Sequence, residues 1–250
     1  MNEERRIKLT LHYDGAGFFG WQVQPGVRTV QAELESALSR LTDRPITAIA
    51  AGRTDRGVHA TGQVASALVP EKWTAPALLR ALNAVLPDDV WIASAVEVPP
   101  TFHARYDAVS RSYVYRVGTN AEAFSPFERR WCWPLRDPLP LAALQDAADR
   151  FVGTHSFIAF AKTGQPERGD MCTVTVANWS RWDCGMQFDV TANRFLHHMV
   201  RYMVGTMVDV ALGRRPATDI DKLLTDRGDL ETSPPAPPEG LFLSHVEYPT

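Results

Sequence analysis

Residues 51–60 read Ala-Gly-Arg-Thr-Asp-Arg-Gly-Val-His-Ala, with one carboxylate, Asp55, set between Arg53 and Arg56. Flanking guanidinium groups favour the ionised acid, and the glycines at 52 and 57 let the backbone turn sharply or approach a ligand closely. A held, ionised carboxylate can serve as a nucleophile or a base. Two arginines beside it can also grip a polyanion and present the acid to it, the arrangement needed to modify nucleic acid. The competing reading is structural: a glycine-rich turn whose Asp and Arg side chains hydrogen-bond their own backbone.

Two further segments supply compatible groups. One is Phe102-His103-Ala104-Arg105-Tyr106 with Arg111-Ser112-Tyr113, and the other is Asn193-Arg194-Phe195-Leu196-His197-His198-Met199-Val200-Arg201. If the three segments converge, they offer an acid, stacking rings and cations. A nucleotide needs all of these, because its base stacks on an aromatic face, its phosphates attract arginine and its reactive carbon needs a placed carboxylate. Tyr113 and Tyr115 also have a plainer reading, since strand alternation puts both on one packed face.

The bulk composition narrows the classes. A chain of 250 residues with 45% hydrophobic and 22% charged residues matches an ordinary globular protein with a substantial core. No apolar stretch reaches membrane-spanning length and the first residues lack the apolar core of a secretion signal, which predicts a cytoplasmic protein away from membranes. Cys132, Cys172 and Cys184 are odd in number and unrelated in spacing, so they read as reduced, packed thiols. With no His-Glu-x-x-His pattern, no bound metal is expected. The net charge of −3 argues against nucleic-acid binding, so the case rests on local arginines, which make up 22 of the 26 basic residues.

The elements that must carry these residues alternate between strand and helix patterns. Strands are predicted at Ile7–Tyr13, Ile46–Ala50, Val64–Val69, Val90–Val96 and Ser112–Val117, with helices after Thr29 and over Ala75–Val85. Gly-rich Asp14–Gly17 leads into Phe18-Phe19-Gly20-Trp21, an exposed-looking aromatic cluster. Three prolines in 133–140 mark a boundary, giving halves at 1–133 and 141–250 with a Pro-rich divider at 134–140. Beyond it come a helix near Leu141–Phe151, a polar loop over Lys162–Asp170, and strands at Thr173–Trp182 and Met186–Ala192. A long helix from about Arg194 to Leu212 then places Arg194, His197 and Arg201 along one face, and Met199, Met203 and Met207 in the core. A short helix near Asp219–Leu224 and the proline run at 233–238 precede a final strand, Leu241–Tyr248. This order predicts an α+β fold with antiparallel sheets.

Gly52-Arg53-Thr54-Asp55-x-Gly57-Val58-His59-Ala60, Phe102-His103-Ala104-Arg105, His197-His198-Met199-Val200-Arg201-x-x-Val204-Gly205 and Gly240-Leu241-Phe242-Leu243, with Tyr13-Asp14-Gly15 and Gly20-Trp21-Gln22, together resemble the TruA family of tRNA pseudouridine synthases. The resemblance runs in order over nearly the whole chain. It implies two similar antiparallel-sheet-plus-helices halves around a central cleft, and a homodimeric isomerase that converts uridines 38–40 in the anticodon stem-loop of tRNA to pseudouridine without a cofactor. It also implies roles: Asp55 as the catalytic aspartate and nucleophile, Arg201 as its cationic partner, Tyr113 against the target base, and Arg53 in extruding that base. Phe102, His103, Ala104, Arg105, Tyr106, Arg111, Arg194 and His197 would line the substrate path. The sequence departs from the family's basic and hydroxyl pattern at 164–174, which reads Gly-Gln-Pro-Glu-Arg-Gly-Asp-Met-Cys-Thr-Val, where Thr173 alone aligns and Arg168 is the one basic candidate. Two other classes compete: an RNA-binding protein without catalysis, and a hydrolytic N-glycosidase, which usually needs a second carboxylate.

Overall fold

The computed structural model describes residues 4–162, 169–225 and 228–249. The chain forms two compact units, Met1–Val109 with Leu243–Thr250, and Ser110–Phe242.

In the first unit, β1 (Glu4–Tyr13) is followed by α1 (Val30–Thr42), β2 (Ile49–Ala50), β3 (His59–Pro70), α2 (Ala75–Val85) and β4 (Val90–Val98). β1 lies between β3 and β4, antiparallel to both. Its alternation is strict: Ile7, Leu9, Leu11 and Tyr13 are buried, and the residues between them are not. Val30, Leu34, Ala37 and Leu38 of α1 and Leu78 and Leu82 of α2 are buried too, at the three- and four-residue spacing of one helix face. Thr29 caps α1 as its sequence predicts, its Oγ1 accepting from the Ala32 N–H. The β2 strand is shorter than expected and β3 longer, beginning at His59.

The cluster Phe18-Phe19-Gly20-Trp21 is a correction. Phe18 and Trp21 are buried, and only Phe19 is exposed. The guanidinium of Arg28 lies 4.2 Å from the Phe18 ring centre while forming two hydrogen bonds to Asp89, of 2.6 and 2.9 Å. That bidentate clamp folds the segment inward.

The second unit contains β5 (Ser110–Gly118), β6 (Trp133–Pro134), α3 (Leu141–Asp149), β7 (Gly153–Ser156), β8 (Met171–Trp182), β9 (Gly185–Ala192), α4 (Met199–Ala211) and α5 (Thr218–Leu224). Its antiparallel strands run in the order β5-β9-β8-β7, and β6 pairs in parallel with β5. The final strand, β10 (Leu241–Glu247), begins in this unit and continues into the first, where it lies beside β3. Mixed antiparallel sheet and helix is the expected α+β class. Most of the polar loop at 162–170, including Arg168, lies outside the described residues.

Helix α4 starts at Met199, five residues later than the apolar periodicity predicts. The backbone of Asn193 is committed elsewhere: its N–H donates to the Thr173 carbonyl, and its own carbonyl accepts from Arg111 Nη1. The His197 carbonyl accepts from the Lys162 N–H. The chain enters the helix only after His198 takes a left-handed conformation, φ 64°. Met199, Met203 and Met207 then face the core as expected. The proline run docks on this helix, because Gly205 is so close to the Pro234 carbonyl that an added Cβ would lie 2.1 Å from it.

All three cysteines are free and buried, and burial raises each thiol, Cys132 and Cys172 to about 11. A chromogenic disulfide reagent at about pH 8 should therefore label native protein slowly and release three equivalents on unfolding. Rapid labelling of native protein would contradict this packing.

Candidate active site

The loop from Ala51 to Val58 is held by several hydrogen bonds within the first unit. Tyr13, at the end of β1, places its hydroxyl 2.7 Å from Thr54 Oγ1, and both residues are buried. Gln63 Nε2 donates to the Gly52 carbonyl at 2.8 Å and approaches the Tyr13 hydroxyl at 3.4 Å. Burial pushes the Tyr13 phenol up to about 12, against the opposing pull of Thr54 and Gln63. It therefore stays a neutral phenol whose proton is available to Thr54.

Backbone contacts finish the clamp. The Trp21 N–H donates to the Thr54 carbonyl at 3.0 Å, and the Gly57 N–H to the Phe18 carbonyl at 3.3 Å. The Gly15 N–H donates to His59 Nδ1 at 3.0 Å. A Cβ at Gly15 would lie 2.1 Å from the Val58 carbonyl oxygen, and one at Gly20, whose φ is +89°, 2.6 Å from that of Thr54. Only glycine allows the two segments to touch there.

Asp55 therefore sits half-buried at the crest of a fixed turn, its own carbonyl accepting from the Val58 N–H at 3.1 Å. Arg53 and Arg56 are exposed on either side, and the Arg56 guanidinium lies 4.2 Å from the Phe19 ring centre. A carboxylate whose backbone cannot drift, flanked by cations, is suited to attack or deprotonate an anionic substrate held against it.

Phe102–Tyr106 forms a compact turn in the same unit. His103 Nδ1 accepts from the N–H groups of both Arg105 and Tyr106, each at 3.2 Å, which places its ring proton on Nε2. The His103 and Tyr106 rings stack at 4.1 Å, with Tyr106 largely exposed. Ala104 is buried, and its carbonyl accepts from the Tyr248 hydroxyl at 2.7 Å.

In the second unit, Tyr113 lies on β5 opposite Val190, with its ring edge-on to Phe195 at 5.0 Å. Arg111 Nη1 donates to the Asn193 carbonyl at 3.1 Å. These contacts bring β5 together with the 193–201 segment, as the sequence reading requires. Arg194 and His197 are not on α4. They lie in the connection ahead of it, Arg194 half-buried and His197 exposed, so the expected helical row with Arg201 is not formed.

Arg201, in the first turn of α4, donates from Nε to the Ala236 carbonyl at 2.6 Å, while the Ala236 N–H donates back to the Arg201 carbonyl. Tyr115, fully buried one pleat along from Tyr113, donates its hydroxyl to the Pro237 carbonyl at 2.8 Å. Burial raises this phenol well above its usual range, with Arg201 pulling the other way.

Sequence reasoning missed Tyr13, Thr54 and Gln63 as supports of the acid loop. One signal was present: Tyr13 is the hydroxyl-bearing member of a strand row otherwise made of Ile7, Leu9 and Leu11, and a buried hydroxyl requires a partner.

Residues 10–107 and 147–249 match the family model described as tRNA pseudouridine synthase. The chain is 45% identical over 249 residues to tRNA pseudouridine synthase A of Moorella thermoacetica, covering 97% of this chain and 99% of that one. It is 41% identical to the protein of the same name from Methylacidiphilum infernorum, covering 97% of this chain and 95% of that one. With that of Limosilactobacillus fermentum it shares 39% identity, over 97% and 96% of the two chains. Matched along both units by the family model and end to end by these relatives, the chain belongs to the tRNA pseudouridine synthase family.

Proposed function

We propose that this protein converts uridines 38–40 in the anticodon stem-loop of tRNA to pseudouridine, with Asp55 as the nucleophile. The observation that carries this reading is the rigid turn around Asp55, pinned through Thr54 and Tyr13 in a chain of this family. The C1′–N1 bond breaks, the detached uracil turns over, and a bond forms from C1′ to C5. N1 gains a proton and C5 loses one. Atoms and electrons balance within the substrate, so the reaction asks for positioned acid and base groups and a closed pocket rather than a redox partner. Attack at C1′, removal of a sugar proton and addition to C6 would all use the same carboxylate.

In this reading Arg201 is the cationic residue of the reaction and Tyr113 packs against the base. Arg53 helps extrude the uridine, and Phe102, His103, Ala104, Arg105, Tyr106, Arg111, Arg194 and His197 contact the RNA. Arg201 also holds the proline run through Ala236, so replacing it costs folding as well as turnover. A cytoplasmic homodimer acting without metal or cofactor completes the proposal. Among the described residues, no helix is long and apolar enough to cross a membrane.

Incubation with an unmodified tRNA transcript tests the assignment. The wild type should form pseudouridine, and Asp55→Asn should lose at least roughly a thousandfold in rate. Free uracil would indicate a hydrolase, and binding without either product an RNA-binding protein. Tyr113→Ala should lose turnover while tRNA affinity falls little, and the reverse pattern would remove Tyr113 from the base site. Tyr13→Phe should lower kcat roughly tenfold to a hundredfold with KM nearly unchanged, because it loosens the loop without touching substrate. An equal loss in stability alone, with kcat intact, would limit Tyr13 to a packing role.

A further inference from the structure

On the first unit, a hollow of about 230 Å³ is lined by Lys8, Thr10, Thr61, Ser244, His245 and Tyr248, among others. Strand alternation creates it, since Lys8 and Thr10 belong to the row of β1 opposite the buried Ile7, Leu9 and Leu11. Gly62 lets β3 approach β10 so closely that an added Cβ would lie 2.0 Å from the Ser244 carbonyl oxygen.

The lining has the chemistry of an anion site. The Lys8 ammonium lies 5.3 Å from the Tyr248 ring centre and 5.9 Å from that of Phe102, and those two rings are 5.0 Å apart. On the same strand, Arg5 is neutralised by Glu97 at 2.5 Å. Lys8 has no carboxylate partner among the described residues. Thr10 Oγ1 already accepts from Ser94 at 3.0 Å, which leaves its own proton for another acceptor. The volume falls below the roughly 300–1,000 Å³ of ordinary small-molecule sites, and suits one phosphate with its ribose better than a complete cofactor. Phe102 links the hollow to the turn at Phe102–Tyr106.

We propose that this hollow receives one backbone phosphodiester of the tRNA, with Lys8 as its counter-charge and the hydroxyls of Thr10 and Thr61 as donors. The assignment rests on tRNA being the substrate. Bound in this way, the phosphate holds the RNA in register beside the Phe102–Tyr106 turn while the chemistry proceeds elsewhere.

The test is a salt titration of the affinity for an unmodified tRNA transcript, using the wild type, Lys8→Gln and Lys8→Arg, with melting temperatures recorded for each. Loss of one phosphate contact should reduce the magnitude of the log affinity against log salt slope by about 0.9 in Lys8→Gln and leave it unchanged in Lys8→Arg. An unchanged slope in Lys8→Gln overturns the proposal, as does weaker binding at every salt concentration with the slope intact, which would report lost packing. Inorganic phosphate alone, titrated calorimetrically, should bind no tighter than millimolar, and tighter binding would make the hollow a free-anion site instead. Pseudouridine formation by the wild type is read separately. Its absence sinks the functional reading and this proposal together, whereas product with an unchanged slope in Lys8→Gln sinks only the proposal.

Discussion

A buried contact between two hydroxyls, Tyr13 and Thr54, ties the acid loop to an interior strand of the first unit's sheet. Either hydroxyl, left alone away from water, would cost about 1–3 kcal/mol, so neither moves without the other. β1 is flanked on both edges by paired strands, and the loop inherits that rigidity. Gln63, reaching the Gly52 carbonyl from the adjacent strand, fixes the other end of the turn. The exposed arginines can then adapt to a substrate while Asp55 stays in place.

The second unit secures its candidate residues by a different route. Strand β5 and the connection ahead of α4 are joined through Arg111 and Asn193, and through the Tyr113 and Phe195 rings. The proline run is tied to α4 by paired Arg201 and Ala236 bonds and covers Tyr115. His198 carries the conformational cost of this arrangement. A left-handed non-glycine residue is disfavoured by ~1–3 kcal/mol, and surrounding contacts must hold it. Such strain commonly sits where a chain must deliver side chains to a site rather than extend a regular element.

Local pattern made most elements legible. Strict alternation identified β1, three-and-four spacing with Thr29 identified α1, and α4 ends at Ala211, ahead of Gly213 with φ 69°, close to the expected end at Leu212. The failures share a cause. The apolar periodicity from Leu196 onward reads as continuous helix, yet before Met199 the Asn193 and His197 carbonyls accept from Arg111 and Lys162, and the Asn193 N–H donates to the Thr173 carbonyl. Phe18 and Trp21 look exposed beside glycines, but Arg28 and Asp89, 61 positions apart, draw that segment inward.

By itself the sequence determined the α+β class, the family through its ordered motifs, and Asp55 as the acid worth testing. Each of those follows from residue type and short spacing, which the chain carries in one dimension. Only the tertiary structure decided that Tyr13 and Gln63 support the acid loop, that Arg194 and His197 lie off the helix, and that Lys8 faces a hollow beside Phe102 and Tyr248. Those outcomes depend on partners dozens of residues away, whose hydrogen bonds and ring contacts override local preference once strands pair and bury them.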